Sequence, residues 1–151
     1  MDALQPTEEG VQTSPTREQI DLFEGMLLEM PQTDLGTTHE LSGGMYARTI
    51  FIPAGVTLTG AAHKTDHINV LHGDITVWTE QGMRRLTGYH VIPTKAGAKR
   101  VGYAHEDTHW TTFIRTDLMD IEAIENEVVE NPETLQTRRA LPLEATPELE
   151  N

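Results

Sequence analysis

Three of the chain's seven histidines, His63, His67 and His72, fall within the ten residues "HKTDHINVLH", together with Asp66. Imidazole is a ligand for transition metals and, when neutral, both donates and accepts hydrogen bonds. The stretch therefore has two interpretations: part of a metal centre, or hydrogen-bonding residues of a metal-free pocket.

Strand alternation predicts that His63, His67 and Asn69 share one face of a strand. On a straight strand the α-carbons of His63 and His67 would lie about 13 Å apart. One ion could not reach both rings, because Zn–N bonds are about 2.1 Å long. Binding of one ion by both histidines therefore requires a bend over residues 64–66.

The middle of the chain has the pattern of short β-strands. Segments rich in Val, Ile, Thr and aromatic residues alternate with turn residues, and Glu80-Gln81-Gly82 predicts a tight hairpin. Strands at such spacing are typical of an antiparallel sandwich or barrel. The predicted strands are "YARTIFI", "VTLTG", "HINVLHG", "DITVWTE", "GMRRLT", "YHVIPT", "RVGYA" and "HWTTFIRT".

An amphipathic helix is predicted on each flank of these strands. The first begins at Ser14-Pro15, an N-cap followed by proline, and ends before Pro31. The second begins at Thr116-Asp117. Their apolar stripes repeat at three- and four-residue spacing, and comprise Ile20, Phe23, Leu27 and Met30 in the first helix and Leu118, Ile121, Ile124 and Val128 in the second.

The chain divides into five predicted regions. Residues 1–13 are a disordered leader, and 14–44 hold the first helix and a connection. The β-barrel spans 45–115, the second helix spans 116–131, and 132–151 form a mobile acidic tail. A single domain of ordinary size is expected.

The net charge of −13 is unevenly distributed. The sums are −8 for residues 1–44, +3 for 45–115 and −8 for 116–151. This pattern argues against nucleic-acid binding and favours acidic flanks around a centre that could accept an anion. Lys99, in that centre, is expected to be solvated. No apolar run or secretory signal is present, so no membrane contact and a cytoplasmic location are predicted.

The region 45–115 resembles the cupin superfamily. The first cupin motif is Gly, five residues, His-x-His, three or four residues, Glu, six residues and Gly. Gly55 begins the corresponding stretch here, Ala61 stands at the first histidine position and His63 at the second. His67 stands at the glutamate position, and Gly73 closes the motif one residue early.

The second cupin motif is Gly, five residues, Pro-x-Gly, two residues, His, three residues and Asn. Gly88, Pro93 and Gly97 follow its outline with altered spacing. Arg100 stands at the histidine position and Ala104 at the asparagine position. The resemblance implies an all-β core, namely a single cupin-like antiparallel jelly-roll barrel.

The resemblance also implies a metal, which cupins hold with three histidines and a glutamate. His63 and His67 are the candidate ligands here, with His109 as the third; His39, His90 and Asp66 are alternatives to His109. The cofactor would be Fe, Mn, Ni or Zn, and isomerase or dioxygenase-type chemistry would then follow. The metal-free interpretation is favoured, and the chain has no other catalytic motif.

Arg100 changes the chemistry expected of the pocket. A guanidinium cannot ligate a cation but binds carboxylate or phosphate through two parallel hydrogen bonds. Either it binds an anionic ligand or it pairs internally with Asp66, Glu106 or Asp107. The leading hypothesis is a small polar or anionic ligand bound in the barrel by His63, His67, Asn69 and Arg100.

A narrower likeness is to small cupins encoded by tailed bacteriophages, carried by wordings such as "KRVGYAHEDT.WTT". It implies the alternative function of a non-catalytic virion or assembly component. A homo-oligomer is expected in either case, with "YARTIFI" pairing at a sheet edge. Virion proteins are then further partners, and the location is the host cytoplasm or the virion.

Overall fold

The computed structural model describes residues 14–139. The predicted leader 1–13 and residues 140–151 of the predicted tail lie outside this range. In the described part no helix is both long and apolar enough to cross a membrane. The elements are α1 (Arg17–Leu28), β1 (Thr38–Ser42), β2 (Met45–Ile52), β3 (Thr57–Thr59), β4 (His67–Thr79), β5 (Gly82–Thr94), β6 (Val101–Arg115), α2 (Ile121–Val128) and two 3-10 turns (Pro132–Thr134 and Gln136–Arg138).

The six strands form one antiparallel sheet in the order β1-β2-β6-β4-β5, with β3 also paired to β6. The long β6 pairs with β3 through residues 101–103 and with β2 through residues 108–115. Because β4 pairs with β6 along both stretches, the sheet curves around a single interior. The predicted fold class, an all-β jelly-roll core between two helices, is confirmed.

Six of the predicted strand segments merge into three long strands. The hairpin is where the sequence placed it, since Thr79 pairs with Gly82. The break predicted at Gly73 is instead a bulge inside β4, with register shifts on both sides of Asp74. A Cβ on Gly73 would lie 2.3 Å from Thr108 Oγ1, so only glycine allows β4 and β6 to approach here. The Asp74 N–H donates to the same hydroxyl at 3.1 Å.

Strand β2 is not a sheet edge. It contains "YARTIFI", which the sequence analysis expects to pair with a second subunit, but it lies between β1 and β6. The partner on its other side, β1, was not predicted because Leu41 is its only strongly apolar residue. The outer strands of this order are β1 and β5, and β3 pairs only with β6 among the described residues.

Helix α1 is fixed to the barrel by its buried face. Its N-cap is Thr16 rather than Ser14, because Thr16 and Gln19 form a reciprocal capping box. Ile20 is 1% exposed and belongs to a buried cluster that contains Trp78. The helix therefore packs against Trp78 of β4 and Val101 of β6.

A buried ion pair also holds α1. Lys99, expected to be solvated, is 5% exposed, and its Nζ donates to Asp21 at 2.8 Å and to Glu24 at 2.7 Å. An ammonium group enters a protein interior only when carboxylates compensate its charge. Asp21 and Glu24, two acids of the negative N-terminal flank, supply that compensation. Lys99 directly precedes Arg100 in the sequence.

Helix α2 begins at Ile121 after the N-cap Asp120, four residues later than the predicted cap at Thr116-Asp117. The Asp120 carboxylate accepts from the Ala123 N–H at 3.0 Å. Ile124, 0% exposed, belongs to a cluster with Tyr46 of β2. Helix α2 therefore covers one end of the barrel, and Ile20 of α1 contacts the end at which Trp78 lies.

The segment 132–139 differs from the predicted mobile tail. It forms two 3-10 turns, and Leu135 between them is buried in the α2 cluster. The side chain of Gln136 donates to the Thr33 carbonyl at 2.8 Å and accepts from the Leu35 N–H at 3.2 Å. A buried leucine and two long-range hydrogen bonds fix this segment against the connection after α1.

Gly73→Ala is expected to lower the free energy of unfolding by about 1–3 kcal/mol, because the new methyl group would overlap Thr108. The matched control is Gly25→Ala, at a helical position with nothing within 4 Å. It should raise stability by up to about 1 kcal/mol. Chemical denaturation of both variants is the measurement, and equal effects would contradict the close approach of β4 and β6.

Candidate ligand-binding site

A cavity of about 460 Å³ lies inside the curved sheet. Alternation turns every second residue of β2, β4 and β6 toward it. The register places Arg48 beside Thr112, and Thr112 beside Asn69, so that these three side chains form one layer across the three strands. All three line the cavity, as do His63, His67, Arg100 and Trp110.

Asn69 organises the polar part of the cavity and is 2% exposed. Its Oδ1 accepts hydrogen bonds from Trp110 Nε1 at 2.9 Å and from Thr112 Oγ1 at 2.8 Å. Its Nδ2 donates to Thr94 Oγ1 at 2.8 Å. Most of its hydrogen-bonding capacity is thus used by the protein. Asn69 therefore positions the surrounding side chains.

Arg100 is held at the edge of this network. One terminal nitrogen donates to Thr94 Oγ1 at 2.9 Å, and the guanidinium carbon lies 5.7 Å from the centre of the Trp110 ring. Within residues 14–139 Arg100 makes no salt bridge. It therefore pairs with none of its predicted internal partners, which are Asp66, Glu106 and Asp107. Burial lowers its pKa, and Arg84 acts in the same direction.

Arg48 is a second guanidinium in the cavity, and sequence reasoning missed it. Its Nε atom is inaccessible to solvent and has no hydrogen-bond partner in the described part of the chain. Burial lowers its pKa, whereas Tyr46 and Glu125 act in the opposite direction. The signal was present in "YARTIFI", where alternation places Arg48 on the same face as Ile50 and Ile52.

The carboxylates that line the cavity are already bound by other cations. Glu24 accepts from Lys99 at 2.7 Å, and Glu125 accepts from Arg138 Nε at 2.9 Å. Neither forms a salt bridge with Arg48 or Arg100 among the ion pairs of residues 14–139. Arg48 and Arg100 therefore leave an excess of positive charge, to which Arg139, a third lining guanidinium that donates to the Thr134 carbonyl at 3.0 Å, also contributes.

His63 and His67 meet because the chain bends between them. The ring centres lie 4.4 Å apart at an interplanar angle of 47°. The bend is fixed from two sides, since the Gly97 N–H donates to the His63 carbonyl at 2.8 Å and the Lys64 N–H donates to the Val128 carbonyl at 2.7 Å. The end of α2 and the loop before Arg100 thus set the position of the histidine pair.

Both imidazoles are neutral at pH 7. Burial, then the neighbouring His67 and Arg48, lowers the pKa of His63 to about 4. Burial also lowers the pKa of His67, although the Thr65 carbonyl opposes the shift. His67 Nδ1 lies 2.9 Å from that carbonyl and must donate to it, which leaves Nε2 as an acceptor.

His109 lies away from this pair. It is exposed on the outer face of β6, with its ring 5.0 Å from that of Phe51, whereas its neighbour Trp110 faces the cavity. Alternation on β6 is the reason, since adjacent residues face opposite sides. The alternative third ligands also have other roles: His39 Nδ1 lies 2.7 Å from the Tyr46 hydroxyl, and His90 Nε2 donates to the Thr87 carbonyl at 2.9 Å.

The residues present do not fit the metal that the cupin resemblance implies. A catalytic zinc site needs three protein ligands, and no group of three His, Cys, Asp or Glu suited to an ion occurs within residues 14–139. The positive charges of Arg48 and Arg100 both lower the pKa of His63, and the same charges would repel a divalent cation bound there. The arrangement can bind an anion, and a pKa of about 4 makes His63 a weak base at neutral pH.

Comparison with known proteins gives likenesses of fold. Similar solved structures include a cupin-2 domain protein from Shewanella frigidimarina, at 10% identity and TM-score 0.44, covering 62% of this chain and 91% of that one. Ectoine synthase from P. lautus has 16% identity and TM-score 0.49, covering 66% and 77%. A putative ethanolamine utilization protein Q from Salmonella typhimurium has 14% identity and TM-score 0.44, covering 54% and 69%.

No family model matches the chain, and no curated protein matches it. The curved antiparallel sheet agrees with the all-β core that the sequence motifs predicted. The likenesses to solved structures, all at low identity, bear on the fold alone.

Acidification tests the neutral state of His63. Because its pKa in the folded protein, about 4, is below the unfolded value of 6.5, the unfolded chain takes up the proton first. Stability is therefore lost as the pH falls from 6.5 to 4 and is unaffected above 6.5. Wild type should lose up to about 3 kcal/mol more than His63→Gln between pH 7 and pH 4.

Urea denaturation at several pH values measures this difference, and NMR titration of the His63 ring gives its pKa directly. Parallel stability profiles for wild type and His63→Gln, with a ring midpoint near 6.5, would contradict the buried neutral imidazole.

Proposed function

We propose that this cupin-like protein binds a small anionic ligand inside its barrel. Arg48 and Arg100 supply the positive charge, and His63 and His67 supply neutral hydrogen-bonding groups. Asn69, which the sequence analysis placed among the ligand contacts, holds the surrounding side chains in position. A metal is not required for this function.

The observation that carries the proposal is the pair of inward guanidiniums without carboxylate partners. Burial of a charge is costly unless an opposite charge or hydrogen bonds compensate it. Lys99 and Arg138 show how this chain compensates its other buried cations, since each contacts a carboxylate within 3 Å. Arg48 and Arg100 lack such a contact, and a bound anion would supply it.

The neighbouring groups suit an anion with one additional polar function. His67 Nε2 is an acceptor, so it can take a hydrogen bond from a hydroxyl or a protonated group of the ligand. Trp110 and Thr112 already donate to Asn69 and are not available. The cavity volume of about 460 Å³ lies within the usual range for small-molecule sites.

Replacement of either arginine is expected to remove anion binding. Calorimetric titration with acetate and with inorganic phosphate, together with thermal-shift measurements, should show affinity reduced about tenfold to a hundredfold in Arg48→Gln and in Arg100→Gln. The matched control is Arg115→Gln, because Arg115 is exposed at the end of β6 and does not line the cavity.

The variants should unfold at temperatures no lower than wild type in the absence of anions, because each substitution removes a buried charge. Equal anion affinity in wild type, Arg48→Gln and Arg100→Gln would overturn the proposal. A loss of affinity in Arg115→Gln as large as in the other two would assign binding to the general surface charge.

A second candidate function, self-association as a structural component, is favoured by the outer face of the sheet. Ile68, Tyr89 and Val91 are 45%, 67% and 54% exposed there. The register places Val70 beside Val91 and His72 beside Tyr89 on the same face. Apolar side chains at such exposure on adjacent strands are typical of an interaction surface.

Charge favours a second copy of this chain as the partner. The outward positions of β2, β4, β5 and β6 in this region carry no Asp, Glu, Lys or Arg, and their titratable side chains are His72 and His109, on a chain of net charge −13. Two copies can meet through this face without opposing like charges. The virion or assembly role predicted from the phage-like sequence pattern would use the same face. That role and the cytoplasmic location stay predictions.

Val91→Glu should convert an oligomer into a monomer, because it places two carboxylates within one apolar interface. Met119→Glu is the control, since Met119 is 76% exposed but lies outside the sheet, just before α2. Light scattering after size exclusion gives the mass of each. A monomeric wild type, or dissociation by Met119→Glu alone, would contradict this interface.

A further inference from the structure

The cavity has two chemically different ends along the same strands. On β2 the inward residues change from Tyr46 and Arg48 to Ile50 and Ile52. On β4 they change from His67 and Asn69 to Ile75 and Val77, which also line the cavity. On these two strands the side chains that could bind charge are thus collected at one end.

The strand register shows that the apolar end is a continuous layer. Ile75 pairs with Ala104 and Val77 pairs with Gly102 across β4 and β6. On the other side of β6, Leu58 of β3 pairs with the same Gly102. At this end β4 and β6 therefore present only aliphatic groups and glycine, whereas β3 adds Thr57 and Thr59 beside Leu58. The nearby Glu24 carboxylate accepts from Thr59 Oγ1 at 3.2 Å and is paired with Lys99.

Gly102 lets Ile75 and Leu58 pack closely over the backbone at this end. A Cβ at this position would lie 3.1 Å from Ile75 Cδ1 and 3.3 Å from Leu58 Cδ2. Its φ does not require glycine, so glycine is favoured here by close packing rather than by backbone conformation. Because Ile75 and Leu58 lie against the backbone here, both side chains form an aliphatic wall of the cavity against which an apolar group of a ligand can pack.

We infer that the ligand is an amphipathic organic monocarboxylate, with its carboxylate at Arg48 and Arg100 and an aliphatic body extending toward Gly102. This inference rests on the proposed anion site and adds the class of ligand. A small inorganic anion would occupy only the polar end. An aliphatic body also gains from leaving water, at about fourfold in affinity for each fully buried methylene.

The test is a series of straight-chain carboxylates of increasing length, acetate, butyrate, hexanoate and octanoate, titrated into the wild-type protein. Affinity is expected to rise with each methylene, by up to about fourfold. Arg100→Gln should weaken all members. Octanol, which has the body without the charge, should bind at least tenfold more weakly than octanoate.

Gly102→Ala locates the body of the ligand. It should lower the ratio of octanoate to acetate affinity by about threefold or more, because its methyl group displaces the ends of Ile75 and Leu58, which line the apolar end. Gly25→Ala, away from the cavity, is the control and should keep the wild-type ratio. Both atoms facing the new methyl group end flexible side chains, so the variant can fold, and the wild-type series does not depend on it.

The outcomes separate this inference from the proposed function. Equal affinity for acetate and octanoate, with both lost in Arg100→Gln, would overturn the amphipathic ligand and leave the anion site in place. Octanol binding as tightly as octanoate would overturn it as well. No binding of any carboxylate would remove both proposals. A chain-length dependence that Gly102→Ala reduces, with loss of octanoate in Arg100→Gln, supports the inference.

Discussion

The physical constraint on which this structure depends is the burial of positive charge inside a small barrel. A guanidinium keeps its charge at any physiological pH, so it cannot escape the cost of burial by losing a proton. Arg48 and Arg100 must therefore be compensated by hydrogen bonds, by aromatic faces or by a ligand. The protein supplies Thr94 and the Trp110 ring to Arg100 and leaves Arg48 Nε without an acceptor among the described residues.

The elements outside the barrel are explained by the same constraint. Helix α1 places Asp21 and Glu24 on Lys99, which fixes the backbone immediately before Arg100. The end of α2 hydrogen bonds to the chain beside His63 and thereby brings the two imidazoles together. The acidic flanks thus neutralise the cations that build the site's walls, and they leave the two inward guanidiniums uncompensated.

The sequence predicts the local part of this architecture and not the long-range part. Alternation in "HINVLHG" places Asn69 on the inner face, and the cupin-like spacing leads to Arg100. The same alternation applied to "YARTIFI" would have found Arg48, but the segment was interpreted as an edge for pairing between subunits. Whether a strand is an edge depends on β1, whose polar sequence gives little signal.

Two further differences have the same origin. Gly73 is compatible both with a turn between two strands and with a bulge inside one, and only the approach of Thr108 decides for the bulge. Lys99 looks like a solvated lysine because its partners are more than 70 residues away in the chain. His109 is likewise a candidate third ligand without a motif spacing that singles it out, and the face of β6 on which it lies is set by the pairing with β2 and β4.

A site made of arginines behaves differently with pH from the metal centre that the cupin motifs imply. Metal ligands must be deprotonated, so metal affinity falls as histidines take up protons below neutral pH. Here the binding charge does not titrate, and the pKa of His63, about 4, keeps that imidazole neutral down to mildly acidic pH. The charge available to the proposed anion is therefore nearly constant over this range. Acid weakens the site through the loss of folded-state stability. Ala61 and Arg100 stand where the cupin motifs have histidines, so this chain has a permanent positive charge in place of a proton-sensitive set of metal ligands.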